Sequence, residues 1–498
     1  MNAKTTKLKK VIYAKHTSYK NKKSSKAKLT KEVAPYLFYI PKHTLPIREH
    51  ISHMIQKNVL NRSSLTDSVP FLDELGKEIE EQKQSIQFTP NEKNPIHRWT
   101  PYIQGFSASF VQRQFAQYQN EYDLQSGKHW VLDPFAGSGT VLVQSKFNGI
   151  PSLGTELNPL LQFIANSKGN SWNLSGIKLL EISNAMIKNR FEKAPEFLKS
   201  ADHFKPKVLR ELERIRGGIK QLEDVSNILI DNQAVNYVDL LRLALSSILV
   251  DCSNLKRTPC LGYDSKKKVT DDMPQKNLNA KVGQIAHDLD IIHLHNSKLI
   301  DVPYEVHLAN AMEFNHTKKY AMAITSPPYM NGLDYVMNYK IEMAWLDFVN
   351  SHVEAKAIKD EMVVCDNVSK GLTKQFAKET DKYNDPWLNL IVNQIQDNIN
   401  SRGKYRRMDM PNIVHKYFDD MYKVFKKVIP SIESNGRFVL VVGDSLIADV
   451  YLPTDLMLAK MGAQLGMEIE KIELARHRRS GQVRTYQLRE TIITLKKK

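Results

Sequence analysis

Apolar and polar positions along the chain fall into two rhythms, and the switch between them outlines the architecture. "HWVLDPFAGSGTVLVQSKFNGIPSLGTELNPL" opens with a buried strand end at Trp130 to Leu132 and continues through a tight turn at Gly137 to Gly139. A helix is predicted over Thr140 to Asn148, and a second short strand over Ser152 to Thr155, closed by Glu156. Strand, turn, helix and strand in this order form a right-handed unit, which makes the sheet parallel. Strand patterns return in "YEVHLANAMEF" (304–314) and "YAMAITSPPY" (320–329). "GRFVLVVGDS" (436–445) is almost continuously apolar, as expected of a strand covered on both faces. The tail, from "MEIEKIELARHRR" onward, reads as two alternating strands around Ser480-Gly481.

Between these strands the spacing is helical. Val208, Leu209, Leu212, Ile215, Ile219 and Leu222 recur at helical intervals, and residues 166–300 read as a helical insertion. A long, mostly helical stretch follows from about Asn338 to Ile429, giving a second insertion near 345–430. Upstream, residues 31–93 form a mainly helical lead-in that includes a charged, helix-like stretch from Phe71 to Gln84. Ser107 is placed to cap a helix running to about Tyr118. The catalytic framework is thus divided into 94–165 and 301–498. No apolar run reaches membrane-spanning length; Leu240 to Val250 comes nearest and is too short.

Charge adds a partner to this picture. The first thirty residues carry about ten lysines and no acid, which predicts a basic disordered arm over 1–30. The arm lacks the apolar segment of a secretory signal. The net charge of +17 extends well beyond it and favours a polyanion, most simply nucleic acid. Three basic clusters are candidate DNA contacts: the loop with Lys256 and Arg257, the segment with Arg402, Lys404, Arg406 and Arg407, and "ARHRRSGQVR" (475–484). Cys252, Cys260 and Cys365 have neither disulfide-framework nor zinc-site spacing, so a reducing cytoplasm and no metal are expected.

Two short motifs carry the chemistry. "DPFAGSGT" (Asp133, Pro134, Phe135, Ala136, Gly137, Ser138, Gly139, Thr140) permits close backbone approach at a strand end, and Glu156 follows where an acid accepts ribose hydroxyls. The turn is neither G-x-G-x-x-G nor a G-K-[ST] phosphate loop. An adenosine without a triphosphate fits, and S-adenosylmethionine is the expected cofactor, with Asp133 near its amino-acid amine. The second motif is Ser326-Pro327-Pro328-Tyr329. Methylating an exocyclic amine requires its lone pair to be turned toward the sulfonium methyl. A carbonyl fixed by two prolines and a neighbouring hydroxyl can accept the amine hydrogens, while an aromatic ring stacks on a flipped base.

With these residues the chain resembles the amino-methyltransferases of DNA, whose signatures are an F-x-G-x-G cofactor motif and a [DNS]-P-P-[YFW] catalytic motif. "FAGSG" (135–139) and "SPPY" (326–329) match both. The resemblance implies a Rossmann-like class I fold, α/β, with a mixed seven-stranded sheet and helical insertions. It also implies double-stranded DNA as substrate, and it brings in a cognate restriction endonuclease as a possible partner. Serine at the head of the catalytic motif points to cytosine-N4, with adenine-N6 as the alternative. Further alternatives are an RNA guanosine amino-methyltransferase and a non-catalytic nucleic-acid-binding protein. "HRWTPYIQGFSASFV" (97–111) is similar to the family's motif ahead of the glycine loop, placing Tyr102 and Phe106 at the cofactor. Asn310 stands where the family often has an acid at the adenine, and Gly443-Asp444 are expected to line the target pocket. Nearly 190 residues separate the two motifs, so an insertion of domain size lies between them, where the family carries recognition regions.

Overall fold

A computed structural model describes residues 64–498 apart from 82–85, 104, 187–189, 230–231, 258–259, 333, 366–367, 404 and 480–485. The expected arm at 1–30 and most of the lead-in lie outside the described residues, as does Lys404.

The strands of the main sheet are β1 (Glu80–Glu81), β2 (Trp130–Asp133), β3 (Ser152–Glu156), β4 (Tyr304–Leu308), β5 (Tyr320–Thr325), β6 (Ile432–Gly443), β7 (Met467–Arg479) and β8 (Gln487–Lys497). They lie in the order β1-β7-β8-β6-β5-β2-β3-β4, eight strands where seven were expected. The addition is the two-residue β1, which pairs with the edge of β7. β6, β5, β2, β3 and β4 run parallel to one another, whereas β8 is antiparallel to both β6 and β7. Such a sheet needs cover on both sides.

Alternation along each strand divides the core. Val131, Met322, Ile324, Val439 and Val441 enter one cluster, while Leu132, Ala323, Phe438, Leu440 and Val442 enter the other. Both sets are buried, which explains the unbroken apolar reading of β6. The first insertion covers one face with helices at Gly176–Ala185, Pro206–Leu229, Asn232–Leu249 and Met273–His295. The second insertion covers the other face with Pro386–Arg402 and Met410–Val428, joined by Thr454–Gln464. Ser107 caps Ala108–Tyr118 as expected, its hydroxyl accepting from the Phe110 amide at 3.2 Å. The stretch from Phe71 behaves differently: the helix Ser64–Leu75 stops ahead of Gly76, which is left-handed at φ 60°.

The first insertion is also tied to the segment ahead of the glycine loop. Asp288, fully buried, accepts from the Ile96 amide at 3.0 Å, from Trp99 Nε1 at 2.9 Å and from Arg98 Nε at 3.1 Å. Lys281, one helical face earlier, reaches the Arg98 carbonyl at 2.9 Å. No helix among the described residues is long and apolar enough to cross a membrane.

Candidate active site

β2 and β5 end where their chains must turn away from the sheet, and the two motif loops open there, with Glu156 at the end of β3 beside them. This is the end at which parallel α/β sheets place ligands. Gly137 sits at φ 52°, and a Cβ on it would lie 2.3 Å from the Tyr102 hydroxyl. Its amide donates to Glu156 Oε2 at 2.9 Å, and the Asn158 amide donates to Oε1 at 2.8 Å. Burial pushes the Glu156 carboxyl up to about 6, opposed by these amide bonds. Asp133 is buried too; burial pushes it up to about 7, against hydrogen bonds from Thr325 and the Phe135 amide.

A cleft of about 560 Å³ runs from this loop across the end of the sheet. Glu156 and Tyr102 stand at one part of it, Asn310 between Ala309 and Ala311 at another, and Ser326 and Pro328 close it. Pro134 and Phe135 are the members of the glycine motif that line it. Ala136, Ser138 and Thr140 are buried behind, and Gly139 starts the helix Thr140–Phe147. The Ser138 hydroxyl is buried and has no hydrogen-bond partner among the described residues. Asn310 is steadied by the Met312 amide, which donates to its Oδ1 at 3.0 Å, while its Nδ2 donates to the Glu361 carbonyl at 3.1 Å. Met362 and Val363 complete the wall. They come from the second insertion, and nothing in their apolar character marked them in the sequence.

These residues fit S-adenosylmethionine. They offer a carboxylate for hydroxyls, an apolar slot with one amide for a purine, and an unpartnered buried hydroxyl beside the glycine turn.

A second cavity, of about 410 Å³, lies on the other side of Ser326. Its walls are Ser326 and Tyr329, Arg476 and Arg478 of β7, Glu490 of β8, and Gly105 with Phe106. Phe106 therefore lines this cavity, not the cleft where it was expected, because it turns edge-on to Phe110 with ring centroids 5.3 Å apart. Tyr329 donates its hydroxyl hydrogen to Glu490 Oε1 at 2.9 Å, and Arg476 pairs with the other carboxylate oxygen. The Arg478 guanidinium lies over the Tyr329 ring at 5.5 Å and donates to the Asp444 carbonyl. Gly443 fits the ring closely: a Cβ there would stand 2.9 Å from it. Asp444 itself was expected at the target pocket. Its side chain instead turns into a buried cluster with Arg489, Asp455 and Tyr451, where a charged pair satisfies it.

The basic loop is also more structural than its composition suggested. Arg257 pairs with buried Glu342, donates to the Asn338 carbonyl at 3.1 Å and lies 4.9 Å from the Tyr339 ring. Tyr339 stacks in turn on Tyr102 at 6.3 Å. Lys256 is more exposed and 3.9 Å from Asp264. Arg407 holds Asp409 with both ends of its guanidinium, Nε at 2.9 Å and Nη2 at 2.6 Å. Arg406 is exposed, and Arg402 ends the helix Pro386–Arg402.

Two cavities meet at Ser326, at the end of a mostly parallel sheet where such sheets place ligands. The chain is 24% identical over 451 residues to the type II methyltransferase M.BsoBI of Geobacillus stearothermophilus, covering 79% of this chain and 83% of that protein. It is 23% identical over 421 residues to the type II methyltransferase M.AvaI of Anabaena variabilis, covering 78% of this chain and 82% of that protein. With M.MvaI of Kocuria varians, also a type II methyltransferase, identity is 22% over 422 residues, covering 78% of this chain and 86% of that protein. No family model matches the chain. The likeness to three such proteins over most of the chain supports a DNA methyltransferase with S-adenosylmethionine as methyl donor.

Proposed function

We propose that this protein is a Rossmann-like class I methyltransferase that modifies the exocyclic N4 amine of cytosine at a defined sequence in double-stranded DNA. The observation that carries this reading is the position of Ser326, shared by the cofactor cleft and the second cavity. A base seated in the second cavity has its amine at the wall through which the methyl must come.

S-adenosylmethionine supplies an electrophilic methyl on a sulfonium. The chain does the rest by placement. Glu156 accepts the ribose hydroxyls, Asn310 meets the adenine edge, and Asp133 holds the amino-acid amine. Rigid Pro327-Pro328 aims the Pro327 carbonyl, with the Ser326 hydroxyl beside it, at the two amine hydrogens of the target, freeing the lone pair for attack. Tyr329 supports the flipped base. Serine at position 326 favours cytosine; the adenine-N6 reading keeps every other role. Lys256 and Arg406, on the exposed surface, contact phosphate, and the insertion at 166–300 carries sequence recognition. Binding through such contacts weakens steeply with salt. The natural setting is cytoplasmic DNA, beside an endonuclease that cuts the same sequence unless it is methylated.

The test is to incubate purified protein with unmethylated genomic DNA and S-adenosylmethionine, then digest to nucleosides and separate them by mass spectrometry. N4-methylcytosine is expected. Methyl on adenine alone overturns the base assignment, and no methylated nucleoside overturns the activity.

A further inference from the structure

The proposed reaction leaves a proton to be disposed of, and Ser326-Pro327-Pro328-Tyr329 contains no base. When the amine nitrogen bonds to the methyl carbon and the carbon–sulfur bond breaks, the electron pair of that bond stays on sulfur. The nitrogen then carries a positive charge and an acidic hydrogen. That hydrogen must pass to a neighbouring group or to water.

A set of polar groups leads away from this point. Ser326 and Tyr329, three residues apart in one loop, line the same cavity. The Tyr329 hydroxyl donates to Glu490 Oε1 at 2.9 Å. Glu490 Oε2 is paired with Arg476. All four residues line the second cavity. The chain joins three separate parts of the sequence, because Glu490 stands opposite Gly443 in the β8–β6 ladder and opposite Arg476 in the β8–β7 ladder. The groups around Glu490 are otherwise cationic or neutral: Arg476 and Arg478 from β7, Tyr329 from the loop after β5, and Gln87.

Resting on the methyltransferase reading above, we infer that Glu490 is the terminal proton acceptor of the reaction, reached through Tyr329 and Ser326. The amine hydrogen passes to Ser326 Oγ, the serine hydrogen to the Tyr329 oxygen, and the phenolic hydrogen to Glu490. Each hydroxyl gives one hydrogen and receives one, so both end neutral. Glu490 ends protonated and Arg476 keeps its charge. Arg476 makes the carboxylate a weak base, but an N-alkylated aminopyrimidine cation is a stronger acid than a carboxylic acid, so transfer is downhill. Tyr329 then has two duties: its ring supports the base while its hydroxyl conducts the proton. Glu490 is a positioning residue in the strict sense, since it acts through its neighbours.

The test is single-turnover methylation at saturating S-adenosylmethionine, on a duplex bearing the sequence found modified in DNA treated with the wild-type enzyme. Glu490→Gln and Tyr329→Phe should each slow the methyl-transfer step on the order of 100-fold. The double variant should be no slower than the slower single one, because both cut the same chain. Glu490→Ala should recover rate on adding formate or acetate, with acetate, the stronger base, more effective. A Glu490→Gln rate equal to wild type, losses that multiply in the double variant, or no recovery with carboxylates would overturn the relay. Should Glu490→Gln fail to fold, Tyr329→Phe, which preserves the ring packing, decides the matter: an unchanged rate removes the relay. A wild-type enzyme that methylates no cytosine overturns the reading of the site itself, whereas an active wild type with an unaffected Glu490→Gln overturns the relay alone.

Discussion

Thr325 donates its hydroxyl hydrogen to the Asp133 carboxylate across 2.7 Å, joining the strand ends that precede the two motifs, 192 residues apart in sequence. The bond ties the start of the Ser326-Pro327-Pro328-Tyr329 loop to the start of the glycine loop, so neither can shift without the other. It also opposes the burial that pushes Asp133 up to about 7.

A carboxyl titrating there makes cofactor binding depend on pH. If Asp133 holds the cofactor's amine as proposed, its ionised form is the one that binds, so affinity should rise between pH 6 and 8, with proton release on binding. Calorimetry in buffers of different ionisation enthalpy measures both. Asp133→Asn should bind weakly at every pH. The sign for stability is opposite: a carboxyl raised above its ordinary range costs stability as pH climbs through 7. Cofactor-free Asp133→Asn should therefore melt higher than wild type at pH 8, by roughly 2 °C or more.

Glu156→Gln keeps the shape but puts an NH2 where one backbone amide now donates, either Gly137 or Asn158. Loss of that bond and of the ribose contacts should weaken S-adenosylmethionine by about 2 kcal/mol, or roughly 30-fold. Titration calorimetry reads this directly; unchanged affinity would take Glu156 out of the cofactor site.

Gly137→Ala meets two obstacles, a left-handed backbone and the Tyr102 hydroxyl only 2.3 Å from the new carbon. The backbone alone costs about 1 kcal/mol. Displacing Tyr102 should also lower cofactor affinity at least ~10-fold. Circular dichroism should show a folded protein, separating this loss from unfolding.

Arg257→Ala should be mainly a stability variant. It strands the buried Glu342 carboxylate and removes the support under the Tyr339–Tyr102 stack. Removing one partner of a buried pair costs about 3 kcal/mol. Lys256→Ala, at an exposed position, should leave melting unchanged and instead flatten the salt dependence of DNA binding. Equal effects of the two on DNA affinity, with no difference in melting, would overturn this division.

What the sequence disclosed and what it hid differ in range. The glycine turn, Glu156 and "SPPY" were legible because their chemistry is local: backbone freedom, a strand end, two prolines in succession. Glu490 was not, because on an alternating strand it reads as any acid in a basic tail, and only the register of β8 carries it to Tyr329. Met362 and Val363 looked like ordinary core residues and reach the cleft through the path of a whole insertion. Arg257 and Asp444 were misplaced for the converse reason. A charge in a loop or after a strand reads as exposed until its buried partner is known, and Glu342 lies 85 residues from Arg257.

The bonds that Asp288 accepts from Ile96, Arg98 and Trp99 bear on how a chain of this design could change its target. If the first insertion reads the DNA, its outer helices can be exchanged to alter the sequence recognised. The helix Met273–His295 cannot go with them, because it clamps the segment that runs on to line both cavities. A recognition region transplanted from another enzyme would have to be joined outside that helix, and a graft that replaced it would lose the reaction together with the old specificity.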